Sequence, residues 1–351
     1  PTPSWTDLVE VHGFGVVWLT PLHEPTVPAW VERPGVDTFY VRFARVLVQA
    51  RPTPDFLASV HVAIENPNPF FNYELTWQGL PYVNVTAGQM RIPFGASITT
   101  PAPTLVMWDR PRFMYVMSKE AFRDIGVLVH SPRGGLLGGA LEYYLGLFNG
   151  SGRTRANIPI LERDLHEYLV VARAVFNAAP PMSLPNGSRL ALGASYAHAV
   201  DPAVTAMDAT QAAADAAHFL GGTLTPFVAE RETHLVSWDL TFSAFDLWAQ
   251  AELVYLYSTA LDGSARAHAL GASIEAAYAI RAIFLQPAAR FEYFDPDFET
   301  GGRSVMIFSL GANFDITPQM RLSAFYSHER YEQMAVTNTD NRVRARYMIR
   351  F

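Results

Sequence analysis

Apolar and polar residues alternate one by one over many segments of this chain. Because successive side chains of a β-strand point to opposite faces, this period of two predicts strands with one apolar and one polar face. Turn-forming residues such as proline, glycine and aspartate separate the segments. The pattern predicts sixteen strands, at residues 8–20, 37–50, 55–66, 71–79, 82–93, 122–131, 136–149, 164–178, 187–200, 231–245, 246–260, 265–280, 281–296, 302–316, 319–334 and 340–351.

The connections between these strands alternate between short and long. Short turns such as Phe245-Asp246 and Thr317-Pro318 contrast with the long segments 94–121 and 201–230. An even strand number with this alternation is typical of bacterial outer-membrane barrels, whose short turns face the periplasm and whose longer loops lie outside. The sequence therefore predicts an all-β fold, a 16-stranded antiparallel transmembrane β-barrel that takes up residues 1–351 as one unit, with 201–230 as a long external loop.

The two faces of the last predicted strand differ most clearly. One face carries Val343, Ala345, Tyr347, Ile349 and Phe351, and the other carries Arg342, Arg344, Arg346, Met348 and Arg350. An arginine facing lipid at the bilayer midplane costs roughly 2 to 4 kcal/mol in a barrel, so the arginine face must point into the lumen. Similar splits in 231–245 and 302–316 predict a polar inward face, as a wet pore requires.

The strand predicted at 37–50 breaks this alternation. Arg42 and Arg45 are three residues apart, so a regular strand would point them to opposite faces. Both can face the lumen only if the strand contains a bulge. Arg42 is predicted to point inward.

Composition narrows the class of protein further. Half of the residues are hydrophobic, yet they never form a run of the roughly 20 residues that a transmembrane helix needs. A net charge of −7 disfavours nucleic acid as a partner, and the lack of cysteine rules out disulfides and thiolate metal sites. The chain opens with Pro1-Thr2-Pro3 and no basic, apolar leader, so an exported form is expected to have its signal peptide already removed.

Five segments resemble, in the same order, parts of the phosphate-selective porin O and P family of Gram-negative bacteria. They are Ala87-Gly88-Gln89-Met90-Arg91-Ile92-Pro93-Phe94-Gly95, Arg123-Asp124-Ile125-Gly126-Val127, Leu147-Phe148-Asn149-Gly150, Arg290-Phe291-Glu292-Tyr293-Phe294-Asp295-Pro296-Asp297 and Arg346-Tyr347-Met348-Ile349-Arg350-Phe351. The last one also resembles the assembly signal of outer-membrane barrels, which implies that role for Tyr347, Ile349 and Phe351. The resemblance implies a porin in the bacterial outer membrane.

The resemblance also implies a candidate site. Porins of this family are homotrimers whose third external loop folds into the channel and narrows it, which would make 94–121 the constriction loop. That loop holds Arg110, Arg112 and Lys119, with Arg91 and Arg123 at its base, and these residues are expected to meet a permeating anion. Family members that select phosphate carry a lysine cluster, whereas Lys119 is the only lysine here, so phosphate selectivity stays open.

Five further arginines are predicted to line the pore, namely Arg42, Arg173, Arg290, Arg344 and Arg346. Fixed arginines in a narrow pore with walls of low dielectric constant raise the local concentration of anions. In the alternative interpretation each arginine pairs with a lumen carboxylate, such as Glu142, Glu275 or Glu292, and braces the barrel wall.

Catalytic and metal motifs are missing from the sequence. It contains neither Gly-x-Ser-x-Gly nor His-Glu-x-x-His, and His198, His218, His234 and His268 fit ordinary polar positions near loops. No catalysis, cofactor or metal is therefore expected, and the expected partners are small anions or other small hydrophilic solutes and outer-membrane lipid. Two alternatives to a diffusion porin stay open, a structural or adhesive barrel with a plugged lumen and a barrel enzyme.

Overall fold

A computed structural model describes residues 8–25, 39–65, 69–117, 123–132, 134–150, 168–178, 188–201, 231–263, 266–296, 299, 303–333 and 336–351. They form sixteen strands that close into one antiparallel barrel. The strands are β1 Val9–Pro25, β2 Phe39–Thr53, β3 Phe56–Ala63, β4 Phe70–Trp77, β5 Asn84–Arg91, β6 Arg123–His130, β7 Leu141–Phe148, β8 Leu169–Asn177, β9 Arg189–Asp201, β10 Arg231–Ala244, β11 Leu247–Ala260, β12 Arg266–Tyr278, β13 Leu285–Asp295, β14 Arg303–Thr317, β15 Met320–Gln333 and β16 Val336–Arg350.

Two short α-helices lie between β5 and β6, α1 at Ala96–Thr99 and α2 at Arg112–Met117. No helix in the described ranges is both long enough and apolar enough to cross a membrane.

All sixteen predicted strands are present, and their ends shift by a few residues. The strand predicted at 136–149 begins only at Leu141, because Leu137–Gly139 forms a 3-10 turn. Gly138 and Gly139 adopt positive φ values of 67° and 92° there, a conformation that glycine tolerates and a regular strand does not contain. The last strand begins at Val336 instead of 340. Apart from Asp201, the loop predicted at 201–230 lies outside the described residues.

The barrel closes where the first strand pairs with the last. Phe14 lies opposite Arg350, and the pairing continues as far as Pro25 with one irregularity between Leu19 and Leu22. At the end of this seam, Gly13 and Phe351 exchange two backbone hydrogen bonds of 2.9 and 3.0 Å. Closure leaves neither terminal strand with an unpaired edge, which a bilayer without water would penalise heavily.

The alternation of the strands separates an outer surface from an inner one. In β10, the side chains of Trp238 and Leu240 are 50% and 40% exposed, whereas Ser237 and Asp239 are buried. The same alternation runs through β14 and β16, where the predicted lipid-facing sets lie outside and Arg344 and Arg346 are buried inside. The assignment of faces made from the sequence is confirmed for these strands.

A β-bulge settles the position of Arg42. In the pairing of β1 with β2, Val16 lies opposite Phe43 and the next residue, Val17, lies opposite Val41, so Arg42 is the extra residue. The bulge lets Arg42 and Arg45 both reach the interior. The sequence analysis required such a bulge if both side chains were to point inward.

Gly13 provides a test of the closing seam. A β-carbon at Gly13 would lie 2.3 Å from the ring of Phe351 and 2.9 Å from the carbonyl oxygen of Arg45, whereas one at Gly15 would have its nearest contact at 3.6 Å. We expect Gly13→Ala to lower the free energy of unfolding by about 1 to 3 kcal/mol, because overpacking must displace the last residue of the seam. Urea unfolding in detergent micelles measures the change.

Gly15→Ala is the matched control and should retain most of the stability of the original protein. Equal losses in the two variants would contradict a special role for the contact between Gly13 and Phe351.

Candidate functional site

The segment between β5 and β6 runs through the inside of the barrel, and its described part, residues 92–117, is called the inner loop below. Its backbone is hydrogen-bonded to side chains of several distant strands, among them Glu252 of β11 (3.2 Å), Glu292 of β13 (2.5 Å), Asn313 of β14 (2.9 Å) and Arg346 of β16 (3.3 Å). These strands lie on the opposite side of the sheet order from β5 and β6. The third external loop therefore folds inward, as expected from the family resemblance.

Apolar side chains hold much of the inner loop against the wall. The loop contributes Ile92, Phe94, Ile98, Phe113, Met114 and Met117. The wall contributes lumen-facing residues from β6 to β15, among them Leu128, Phe148, Val171, Leu235, Val254, Phe294, Ile307 and Tyr331. We call these two sets the apolar belt. Burying one large apolar side chain contributes about 1.5 to 3 kcal/mol, so the belt stabilises the inward position of the loop substantially.

The apolar belt limits one expectation from the sequence. Polar inward faces were predicted for 231–245 and 302–316, and Ser237, Asp239 and Asn313 agree with this, but Leu235 and Ile307 of the same strands are buried and apolar. Val171 and Val254, on strands for which no face assignment was made from the sequence, also face the interior and are almost fully buried. These positions need not be polar because the inner loop, and not water, lies against them.

A second apolar contact joins the middle of the inner loop to the closing seam. Leu105 packs among Phe14, Trp18 and Met348, and the ring of Trp108 meets that of Trp18 edge to face at 5.3 Å between centroids. The loop is thus held at both the far wall and the seam, and it crosses the lumen between them.

Asp109 is the polar centre of the inner loop. Its carboxylate accepts hydrogen bonds from Arg42 Nη2 (3.1 Å), from Tyr115 Oη (2.5 Å) and from the backbone N–H of Arg110 (2.9 Å), while its backbone carbonyl accepts one from Arg290 (2.5 Å). Burial alone would raise the pKa of Asp109, but the charge of Arg42 and the bonds from Tyr115 and Arg110 lower it overall. Asp109 therefore stays ionised and joins the loop to β2 and β13.

Two of the predicted anion-contacting arginines bind the inner loop itself. Arg91 Nη1 donates to the carbonyl oxygen of Thr99 at 2.7 Å. Arg110 donates to the carbonyl oxygens of Ser97 (2.8 Å) and Thr100 (2.6 Å). Both side chains thereby fix the turn that follows α1.

Several others are paired with carboxylates, as the bracing interpretation expects. Arg173 makes a two-pronged contact with Asp239, at 2.6 and 3.0 Å. Arg112 and Arg344 share Glu329, at 2.7 and 3.7 Å. Such fork-shaped donors suit a carboxylate geometrically, and each pair neutralises charge that would otherwise be buried alone.

The remaining predicted residues have other partners. Arg290 contacts Glu292 at 2.7 Å and Glu275 at 3.5 Å, both within the wall. Arg123 lies over the ring of Phe71, with its Nε donating to Asn72 at 2.7 Å.

Arg346 bridges the wall and the inner loop through Ser323, Asn313 and the carbonyl of Met107. Lys119 lies outside the described residues. The structure therefore brings nine of the ten predicted residues to the interior or its loop, and their contact with an anion stays a prediction.

A cavity of about 400 Å³ lies between the inner loop and the wall from β7 to β12. The loop side includes Ala96, Thr99, Thr100, Pro101, Thr104, Leu105 and Val106, and the wall side includes Glu142, Tyr144, Arg173, Arg189, Asp239, Thr241, Trp248, Gln250 and Glu275. Charges of both signs line it, in neighbouring pairs such as Arg189 with Glu142 at 3.3 Å. The cavity can therefore hold water and small polar molecules.

Sequence reasoning missed Arg189 as a lining residue. It is the first residue of β9 and shares the inward face with Ala191 and Ser195, so the alternation of that strand could have indicated it. Among the ten predicted residues, as far as the structure describes them, Arg173 is the one that lines the cavity.

The fold is similar to those of solved outer-membrane proteins. A form of OmpT, an outer membrane protein of Vibrio cholerae, with loop L8 deleted is 13% identical and aligns over 98% of this chain and 99% of its own with a TM-score of 0.67. The outer membrane channel DcaP of Acinetobacter baumannii is 13% identical over 98% and 97%, with a TM-score of 0.64. An anion-selective porin from Comamonas acidovorans is 9% identical over 97% and 99%, with a TM-score of 0.62.

No protein-family model matches the sequence, and no curated protein matches it. At these identities the structural likeness establishes the fold alone. The closed barrel of sixteen antiparallel strands with an apolar outer face is the form of a protein of the bacterial outer membrane. The expected fold class and location are confirmed. Membership of the phosphate-selective porin family stays a prediction.

Arg290 allows the energetic role of a buried charge to be measured. Its side chain is 1% exposed and lies between Glu275 and Glu292, so Arg290→Met leaves two carboxylates without their cation. Breaking a buried pair in this way costs about 3 to 5 kcal/mol. We expect the free energy of unfolding to fall by that amount. Unfolding in urea, monitored by tryptophan fluorescence, measures the change.

Arg281→Met is the control, because Arg281 is 82% exposed and its pair with Asp246 lies at a short turn. Exposed pairs contribute about 0 to 1 kcal/mol, so this variant should unfold close to the unsubstituted protein. A loss for Arg290→Met no larger than that for Arg281→Met would contradict the proposed importance of the buried cluster.

Proposed function

We propose that the protein is an outer-membrane channel through which small hydrophilic solutes diffuse passively. The observation that carries this proposal is the cavity of about 400 Å³ that the inner loop leaves beside the β7 to β12 wall. The loop occupies one part of the lumen and fixes the cross-section that remains. In this proposal the inner loop is the constriction, and the cavity is the narrow part of the solute path.

The lining indicates the class of solute. The hydroxyl oxygens of Thr99, Thr100 and Thr104 offer acceptors, because their hydrogens are donated to backbone carbonyl oxygens of the loop. The hydroxyl group of Thr241 and the charged side chains of the lining offer both donors and acceptors. Such groups replace part of the hydration shell of a polar solute, whereas a purely apolar solute would leave them unsatisfied. Small hydrophilic solutes are therefore favoured over hydrophobic ones.

The proposal also includes a mild preference of the channel for anions over cations. Arginines are concentrated on the side of β2 to β6, where Arg42, Arg45, Arg91, Arg110 and Arg123 lie on the wall and loop. The guanidinium groups of Arg91 and Arg110 donate to neutral carbonyl oxygens, while Glu74 and Asp109 lie near them and offset part of their positive field. That field favours anions, while the carboxylates Glu142, Asp239 and Glu275 at the cavity oppose it.

Phosphate selectivity and the homotrimer remain predictions from the family resemblance. The anion-selective porin of C. acidovorans shares the fold with this chain, which supports anion preference as a hypothesis. A barrel enzyme would need a catalytic group at the external rim, and the cavity that carries the present proposal lies inside the lumen.

A barrel with a plugged lumen is the second candidate, and the apolar belt is the observation that favours it. Close contact of Phe113, Met114 and Ile98 with the wall is the packing that a plug would show. Single-channel recording in a planar bilayer distinguishes the two functions. Stepwise conductance supports the channel, and its complete absence from correctly folded protein would leave the plugged barrel.

Filling the cavity should reduce the current. Thr241 lines the cavity on β10, and its neighbour Leu240 faces outward on the same strand. We expect Thr241→Trp to lower single-channel conductance by roughly twofold or more, because conductance depends on the width of the narrowest part of the path. Leu240→Trp should conduct normally. Normal conductance in Thr241→Trp would show that ions take another route.

Reversing one lining charge should change ion selectivity. Arg189 lines the cavity, whereas Arg51 is exposed at the end of β2 and contacts Gln78. Arg189→Glu should shift the reversal potential in a salt gradient toward cations, because the changed charge lies beside the path. Arg51→Glu changes the net charge equally and should shift it little. Equal shifts would mean that overall charge, and not the cavity, sets selectivity.

A further inference from the structure

Three residues with metal-binding side chains meet on the outer surface of the barrel. His198 of β9 and His234 of β10 lie directly opposite each other in the register of the two strands. Glu232 precedes His234 by two residues, so all three side chains share the face that also carries Tyr196 and Trp238. They lie near the end where β9 leads into the long connection to β10, at the external rim of the barrel.

The ligand atoms are close to the separation that a metal ion requires. His198 Nε2 lies 2.9 Å and His234 Nε2 lies 3.4 Å from the same oxygen, Glu232 Oε1. All three ligand atoms lie within 4.8 Å of one another. Zinc bonds of about 2.0 to 2.2 Å in a tetrahedron place the ligand atoms roughly 3.3 Å apart. Two of the three separations are already near this value, and the third is no more than 4.8 Å.

A tyrosine orients one of the histidines. Tyr196 Oη is hydrogen-bonded to Nδ1 of His234 at 2.9 Å, which leaves Nε2 of that ring turned toward Glu232. The ring of Tyr257 stacks on the other side of His234, with 6.1 Å between centroids. A partner on the second ring nitrogen fixes the orientation of a ligating histidine and raises its basicity. The arrangement therefore has the support that histidine ligands of metal sites usually have.

We propose that His198, Glu232 and His234 bind a divalent transition-metal ion of the zinc type on the outer surface of the barrel. Two imidazoles and one carboxylate are a ligand set that suits Zn²⁺, Cu²⁺ and Ni²⁺ and is poor for Mg²⁺ and Ca²⁺, which take oxygen ligands. The three side chains are about one third exposed, so an ion can reach them from the aqueous side of the rim. A fourth position stays open to water.

The same surface provides a natural control. His268 of β12 is hydrogen-bonded through Nδ1 to Tyr255 at 2.7 Å and lies 3.2 Å from Glu299. It has the same kind of aromatic and acidic neighbours, but the described residues place no second histidine beside that carboxylate. It should therefore not form a three-ligand site. This expectation differs from the sequence interpretation, which treated His198, His234 and His268 alike.

Metal titration of the full-length, folded protein in detergent tests the site. We expect Zn²⁺ to compete with a chromophoric chelator at one strong site per chain. His198→Ala and His234→Ala should each weaken that binding at least about tenfold, because loss even of a residue that only supports a ligand costs about 10-fold to 100-fold in metal affinity. His268→Ala should bind as the unsubstituted protein does. Unchanged binding in the first two variants, or no strong site in the unsubstituted protein, would overturn the proposal.

Electron paramagnetic resonance with Cu²⁺ identifies the ligands directly. The unsubstituted protein and His268→Ala should show coupling to two nitrogen atoms, and His198→Ala and His234→Ala to one. The same nitrogen count in all four proteins would exclude this histidine pair. The shift of folded barrels in unboiled electrophoresis confirms that each variant has assembled, so that a loss of binding reflects the site. Neither measurement depends on conductance, so the metal site and the channel are tested separately.

Discussion

The hydrocarbon interior of a membrane offers no partner to a backbone N–H or C=O group, and this constraint determines the rest of the structure. Each strand must be paired along both edges, which only a closed sheet achieves. Pairing of β1 with β16 completes that sheet. A barrel of sixteen strands then encloses more space than the wall side chains can fill, so the interior must contain either water or another part of the chain. Here the inner loop crosses it from the far wall to the seam.

Holding a loop inside a barrel requires that its own polar groups find partners. The wall supplies them largely as arginine and carboxylate side chains, and Asp109, Arg290 and Arg346 connect loop and wall directly. Arginine suits this role because its fork donates several hydrogen bonds at once and remains charged when buried. Most of the arginines predicted to attract solutes therefore also have a structural role.

The fold could be predicted from the sequence because lipid enforces the alternation of side chains. An arginine at position 344 or 346 has no acceptable outward position, so the face assignment of β16 followed directly. The interior of the site was less predictable. Whether Val171 and Val254 face water or the inner loop depends on contacts between residues far apart in the chain, which a local pattern does not contain.

The partners of the arginines were hidden for the same reason. Arg112 meets Glu329 across more than two hundred residues, and no spacing in the sequence indicates that contact. The bulge at Arg42 was different, because a conflict between two nearby arginines revealed that something irregular had to occur. Local conflicts can be detected in a sequence, whereas long-range pairings need the structure.

The attachment of the inner loop to the closing seam has a consequence for the order of assembly. Leu105 packs against Met348, and Arg346 donates a hydrogen bond to the carbonyl oxygen of Met107, so the position of the loop is fixed partly by β16, the last strand of the barrel. The loop cannot settle completely until β16 has joined β1. Interior packing and completion of the sheet thus finish together, and β16 arranges a segment that lies more than two hundred residues before it in the chain.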